Sequence, residues 1–252
     1  MGKKGKTGRL KRNPAPKFWP IHRKEFTWVV KPSSGPHTLE DSLSLTLVLR
    51  DILGLAKTKR EAGIILAQGK LLVDGKTRKR ANFPVGLMDV IAMPEVDQYF
   101  RVVPSPKGLV LARINKNESE FKLARVENKN TVKDGVQIAL HDGSNIFVKV
   151  ADPKKPVEVT YDTFDVLKLS LPEKEVVSKI ATKTGNLAIV TGGKNIGKKG
   201  RIVEIEKAEA KKRKNALVVV EDESGMKYQT ILAFVFSIGE TQPLITEAAS
   251  SV

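Results

Sequence analysis

Cysteine is absent from the 252 residues. That excludes disulfides, thiolate metal sites and a cysteine nucleophile. Only three histidines occur, His22, His37 and His141, far apart in sequence and without metal-ligand spacing. No apolar run reaches the length that spans a bilayer. The N-terminus is charged and lacks the apolar core of a signal peptide. The expectation is a cytoplasmic protein with no membrane partner. Acidic residues are in short supply too: 28 Asp and Glu stand against 44 Lys and Arg, for a formal charge of +16.

That surplus is concentrated in three islands. Residues 1–31, 57–80 and 191–214 together hold 27 basic and 6 acidic residues, a surplus of +21. The remainder holds 17 basic and 22 acidic residues, or −5. Basic islands on mildly acidic domains suit a polyanion partner better than general solubility. The competing reading is that such loops are merely solvated.

The first island is a basic arm, residues 1–37 with its linker. Glycine, proline and like charge argue against a packed core before Phe18. Its candidate RNA contacts are Lys3, Lys4, Lys6, Arg9, Lys11, Arg12 and Lys17. Phe18, Trp19 and Trp28 either stack on bases or anchor the arm to its own protein, and anchoring is favoured.

Residues 38–94 read as a helix–helix–hairpin module around which the rest is organised. A leucine-rich helix is predicted over 39–53, capped by Thr38 and closed by Gly54, with Leu39, Leu43, Leu47 and Ile52 as its apolar stripe. A second helix is predicted over 59–68, with Thr58 and Glu61 as a capping box and Gly69 at its end. Asp74-Gly75 marks a tight hairpin. Residues 85–93 are expected to form one closing strand. Lys57, Lys59, Arg60, Lys76, Arg78, Lys79 and Arg80 are the module's candidate RNA contacts, expected on one face.

Residues 95–182 read as a central β domain without a catalytic constellation; His141-Asp142 is taken as a turn pair. Residues 183–240 read as a small, bent β barrel, and 241–252 as a partly mobile tail. The glycine–lysine loop at 191–200 approaches a P-loop at Gly192-x4-Gly197-Lys198, but Lys199 stands where Ser or Thr is required. The residues after Gly200 alternate at period two and read as a strand, whereas a P-loop opens a helix. The expectation is phosphate contact without nucleotide binding, through Lys194, Lys198, Lys199, Arg201, Lys211, Lys212 and Arg213.

The chain resembles the S4e family of archaeal and eukaryotic small-subunit ribosomal proteins. The resemblance rests on Leu10-Lys11-Arg12, Ala15-Pro16-Lys17 and Trp19, and on Pro32-Ser33-Ser34-Gly35-Pro36-His37. Val73-Asp74-Gly75-Lys76 and Pro84-Val85-Gly86-Leu87-Met88-Asp89-Val90 look like the family's S4-type RNA-binding domain. Residues 185–193 with Gly197 and Gly200 look like its KOW motif. The short tail is similar to archaeal members. The resemblance implies an α+β, multidomain fold: basic arm, small αα-β RNA-binding module, central β domain and C-terminal SH3-like KOW β-barrel. It implies small-subunit ribosomal RNA and neighbouring ribosomal proteins as partners, and no catalysis, cofactor, metal, nucleotide or homo-oligomer. Two other classes stay open: an accessory to an RNA-modifying enzyme, and a free KOW-containing translation or transcription factor.

Overall fold

The computed structural model describes residues 8–150, 161–206 and 213–246. Lys3, Lys4, Lys6, Lys211 and Lys212 lie outside them. The described chain is mostly β-structure with few helices.

The arm is ordered from its first described residues, which corrects the expectation of no core before Phe18. Strand β1 (Leu10–Lys11) pairs antiparallel with β2 (Trp28–Val29). Ala15, Trp19 and Val29 are buried in one core with the helical module. Trp19 Nε1 donates to the Ser42 carbonyl at 2.9 Å. Two guanidiniums supply what the apolar content cannot. Buried Arg12 donates to the His22 carbonyl at 2.5 Å and pairs with Glu25 at 3.3 Å. Arg23 donates to the carbonyls of Arg12, Asn13, Ala15 and Pro16 at 2.9–3.1 Å. Charge-assisted bonds of this kind satisfy carbonyls that a proline-rich segment leaves without ladder partners.

The first helix starts later than predicted. Residues Ser42–Ser44 form strand β3 instead. The cause is local polar competition with helix formation. The Ser42 hydroxyl donates to the Thr38 carbonyl at 2.6 Å, and the Thr38 hydroxyl donates to Asp41 at 2.7 Å rather than capping a helix. Ser44 is the actual N-cap, accepting from Leu47 N at 3.4 Å. Helix α1 (Leu45–Leu47) then widens into a π-helical segment, Val48–Ile52. Leu45, Leu47, Val48 and Leu49 are all fully buried. Over Leu45–Leu49 this helix is enclosed on every side rather than along one stripe.

Helix α2 (Lys59–Ala67) agrees with its prediction. Thr58 caps it, accepting from Glu61 N at 3.2 Å, and the Glu61 carboxylate accepts from Lys57 N at 2.8 Å. Ala62 and Leu66 face the core. The Asp74-Gly75 turn joins β4 (Leu72–Val73) to β5 (Lys76–Thr77), with Val73 opposite Lys76. Asp74 and Gly75 have φ of 50° and 73°, as a two-residue hairpin with the twist of its strands requires.

The predicted strand at 85–93 is split into β6 (Pro84–Gly86) and β7 (Val90–Met93). Between them Met88 takes a φ of 64°, and Asp89 folds back to accept from Gly86 N at 2.9 Å. Strand β6 pairs with β3.

Strands β8 (Gln98–Ser105) and β9 (Gly108–Ile114) continue the module's sheet in the order β5-β4-β7-β8-β9. The boundary expected at residue 95 therefore cuts a continuous sheet. A second five-stranded sheet is built from β10 (Phe121–Val132), β11 (Gly135–Leu140), β12 (Asn145–Lys149), β13 (Val166–Ser170) and β14 (Val176–Ile180), ordered β12-β11-β10-β13-β14. A third contains β15 (Leu187–Val190), β16 (Lys199–Glu206), β17 (Leu217–Glu221), β18 (Lys227–Ile231) and β19 (Val235–Gly239), ordered β18-β17-β16-β15-β19. All pairings in it are antiparallel.

One core joins the three sheets: Met88, Leu123, Val166, Ile189, Phe236 and Ile245 pack together. Ile245 belongs to the predicted tail, so the tail is anchored at least to there. Thr246 N also donates to Glu118 at 3.0 Å.

Candidate nucleic-acid interface

The second island lies along α2. Lys57, Lys59 and Arg60 are exposed where that helix begins. Lys76, Lys79 and Arg80 are exposed on and after the β4–β5 hairpin. Lys79 Cε lies 3.9 Å from the space beside Gly69, at the end of α2, while Ala81 and Asn82 share a groove with Lys59 at its start. The segment after the hairpin therefore runs beside the helix. None of these cations forms an ion pair among the described residues. Arg78 differs from its neighbours. It is half-buried, with its guanidinium 4.5 Å from the Phe83 ring centroid.

A cation in the first turn of a helix opposes the helix dipole. Lys59 and Arg60 occupy that turn, partly offset by Glu61. The carboxyl of Glu61 is lowered from its ordinary value by the Lys57 backbone amide and then by the Thr58 hydroxyl.

The arm divides into two kinds of cation. Arg9, Lys11 and Lys17 are exposed. Arg12 is not: its guanidinium is enclosed by protein carbonyls, which removes it from the predicted contact set. Composition gives Arg12 and Arg9 the same appearance, and only the fold separates them.

The third island is electrostatically different. Lys194, Arg201 and Arg213 are exposed. Lys198 and Lys199 are half-buried, and Lys198 Nζ rests 3.5 Å from the Tyr228 ring centroid. A groove of about 680 Å³ beside the loop is lined by Lys198, Lys199 and Arg201 but also by Glu221, Asp222 and Glu223. The glycines do not hold space open for a phosphate. A Cβ on Gly192 would lie 2.6 Å from the Phe234 ring, and one on Gly197 2.8 Å from Ser105. On Gly200 it would lie 2.2 Å from the Glu221 carbonyl oxygen. Gly192, Gly197 and Gly200 serve close packing within the protein. Strand β16 starts at Lys199, directly after Gly197-Lys198, so the helix that a P-loop needs is replaced by a strand.

The sequence gives no hint of the buried charge cluster that holds the interface in place. Lys122 of β10 is fully enclosed and reaches Asp74 at 2.7 Å, Asp89 at 2.5 Å and Asp142 at 3.1 Å. Asp89 also contacts His37 Nε2 at 2.9 Å, and Asp142 contacts Lys174 at 2.8 Å. The cluster thus ties the arm's linker, both module turns and two turns of the central sheet to one ammonium. Burial pulls the Lys122 ammonium down, but the three carboxylates outweigh it and hold its pKa above the ordinary value. Burial raises Asp89 and Asp142, yet Lys122 with His37, and Lys122 with Lys174, bring each below the ordinary range. Asp74 is pushed up by burial and by the Asp89 charge. Asp74 has fewer donors than Asp89, so it is the member of the pair that yields.

His141 is no catalytic base. Its Nδ1 accepts from Arg125 N at 3.1 Å and its Nε2 donates to the Leu87 carbonyl at 3.1 Å. Burial, then the Lys122 charge, lowers its pKa to about 3. Asp142 accepts from Ser144 N at 3.0 Å, so the pair does form a turn.

Among the described residues no group of His, Asp or Glu is placed to hold a metal ion, and no helix is long and apolar enough to cross a membrane.

Three family models match the chain: the RS4NT (NUC023) domain over residues 4–40, the S4 domain over 47–91 and Ribosomal family S4e over 96–176. Small ribosomal subunit protein eS4 of Desulfurococcus amylolyticus is 48% identical over 97% of each chain. The protein of that name from Staphylothermus marinus is 47% identical, again over 97% of each. The crystal structure of the 30S ribosomal protein S4e from Thermoplasma acidophilum superposes with a TM-score of 0.66 at 31% identity, covering 81% of this chain and 99% of that one. The order arm, S4 domain, S4e region is the order of the modules built above, and the chain belongs to the ribosomal S4e family.

Proposed function

We propose that the protein is a structural constituent of the small ribosomal subunit, and so of the cytoplasmic ribosome, and binds small-subunit ribosomal RNA through phosphate and shape contacts. The observation that carries this is the row of exposed cations Lys57, Lys59, Arg60, Lys76, Lys79 and Arg80 along α2 and the adjoining hairpin, none of the six paired with a carboxylate among the described residues, whereas Lys70 between them pairs with Glu95 at 2.8 Å. Lys57, Lys59, Arg60, Lys76, Lys79 and Arg80 present exposed positive charge, which fits phosphate positioning. Arg9, Lys11 and Lys17 extend the same contact from the arm. Lys194, Arg201 and Arg213 add a weaker contact, because Glu221, Asp222 and Glu223 stand beside that groove.

The five-stranded C-terminal sheet is read as the SH3-like KOW barrel. Its sequence order, its buried Ala188, Ile202, Val218, Val220 and Val235, and its glycine-bearing loop support that assignment. The less basic central sheet is the surface for neighbouring ribosomal proteins. The role is structural, not catalytic, as the family is. Sedimentation tests this reading. The protein should travel with small subunits after a moderate salt wash. A predominantly free pool at the top of the gradient would instead identify a soluble factor.

A further inference from the structure

The arm hairpin and the start of α2 enclose a groove of about 620 Å³. Arg9, Trp28, Lys31, Lys59 and Asn82 line it. That volume falls within the range of roughly 300–1,000 Å³ typical of small-ligand sites. The two tryptophans of the chain have opposite fates. Trp19 is 3% exposed and bonded to the protein backbone, whereas Trp28 is 50% exposed. Strand alternation explains the difference between Trp28 and Val29: Val29 points to the core, so Trp28 points out. Lys11 is opposite Trp28 in the ladder, and opposite residues share a face. The Arg9 guanidinium lies 5.9 Å from the indole centroid.

A singly exposed aromatic needs no explanation. An exposed indole in a groove lined by Arg9, Lys31 and Lys59 is a different object. It combines an aromatic platform with a cationic wall, and that combination recognises a single-stranded nucleotide: the base stacks and the phosphates meet the cations. Double-stranded RNA keeps its bases stacked on each other and offers none to an indole. Resting on the RNA-binding reading above, we propose that this groove takes one unpaired nucleotide of the ribosomal RNA, with its base stacked on Trp28 and its phosphates against Lys59 and Lys31. The arm therefore carries a base-stacking site, in addition to phosphate contacts.

The test uses the full-length chain with a small-subunit ribosomal RNA transcript. Trp19 is enclosed, so changes in tryptophan emission and acrylamide quenching on binding report Trp28. Stacking predicts quenched emission and lost acrylamide access. It also predicts that W28A binds about 5–150-fold more weakly, the factor set by the known worth of one stacked base. W28F, which keeps a ring, should recover most of that loss. Stacking involves no counterion release, so W28A should shift affinity equally at every salt concentration, whereas K59A should flatten the salt dependence. Equal melting temperatures of the variants and wild type confirm that all are folded. Wild-type binding accompanied by unchanged Trp28 signals and unchanged W28A affinity overturns the proposal and leaves the RNA-binding reading standing. A Trp28 that is accessible on bare RNA but shielded in the assembled subunit also overturns it, because a protein neighbour would then fill the groove. Failure of the wild type to bind RNA at all overturns both.

Discussion

At the scale of single residues, the consequential groups are the buried ones. Lys122, Asp74, Asp89 and Asp142 are enclosed, and with His141 they tie the helical module to the central sheet. Their titration makes the protein sensitive to acid. The ordinary imidazole pKa is 6.5, and His141 in the fold is held at about 3. Between those values the folded chain binds fewer protons than the unfolded chain. The His141 contribution is therefore complete above about pH 6.5 and is lost as pH falls toward 3. Asp89 and Asp142, both lowered, act in the same direction below their ordinary value of 3.8. Asp74, raised, acts in the opposite direction, its contribution fading as pH climbs above 3.8. Denaturant midpoints should fall as pH is lowered from about 7 to about 4.5, the range in which histidine titrations dominate. H141Q, which keeps an amide donor for the Leu87 carbonyl, should show a shallower fall. An equally steep fall in that variant would place the sensitivity elsewhere.

At the scale of elements, the chain chooses binding over local stability in one place and packing over binding in another. Lys59 and Arg60 oppose the dipole of α2, and reversing them should help the helix. K59E/R60E should melt no lower than wild type, since each favourable charge–dipole contact adds about 0.3–1 kcal/mol. The same variant should bind ribosomal RNA more weakly; unchanged affinity would remove the helix start from the interface. Gly200 is the opposite case. Its φ is unexceptional, but a Cβ there would collide with the Glu221 carbonyl oxygen across the β16–β17 ladder. G200A should destabilise the free protein by about 1–3 kcal/mol, the usual cost of overpacking. Thermal denaturation without RNA checks this. A stable G200A with weakened RNA binding would instead indicate that the backbone there approaches a phosphate.

These elements also show what could be read from the sequence. Helix α2 and its hairpin were legible because their determinants are local: Thr58 and Glu61 three residues apart, and Asp74-Gly75 between extended runs. The first helix was misplaced by six residues at its start because Leu39, Leu43 and Leu47 mimic helical spacing. Side-chain bonds from Thr38 and Ser42 hold residues 39–41 in a turn there instead. The exposed cations of the proposed interface were visible as charge islands. The exclusion of Arg12 was not, nor was the Lys122 cluster, because both depend on partners brought together by tertiary structure.

At the scale of the whole molecule, the three sheets share one core, and the first two are also tied by the Lys122 ammonium. The described cations of the arm and helical module are therefore presented on a preformed surface, which lowers the ordering cost of meeting a folded RNA. The charge islands are thus unequal. In the second island only Lys70 is paired among the described residues, while the C-terminal loop sits beside three carboxylates and parks Lys198 on Tyr228.

Phosphate contact by the α2 row is tested most directly by the salt dependence of binding between the full-length protein and small-subunit ribosomal RNA, for wild type and for K76A/K79A/R80A. Each lost phosphate contact lowers the slope of log affinity against log salt by about 0.7–0.9 units. The triple variant should melt with the wild type, bind more weakly at low salt and have a slope shallower by about 2–3 units. A variant with wild-type affinity and an unchanged slope would contradict phosphate contact by this row.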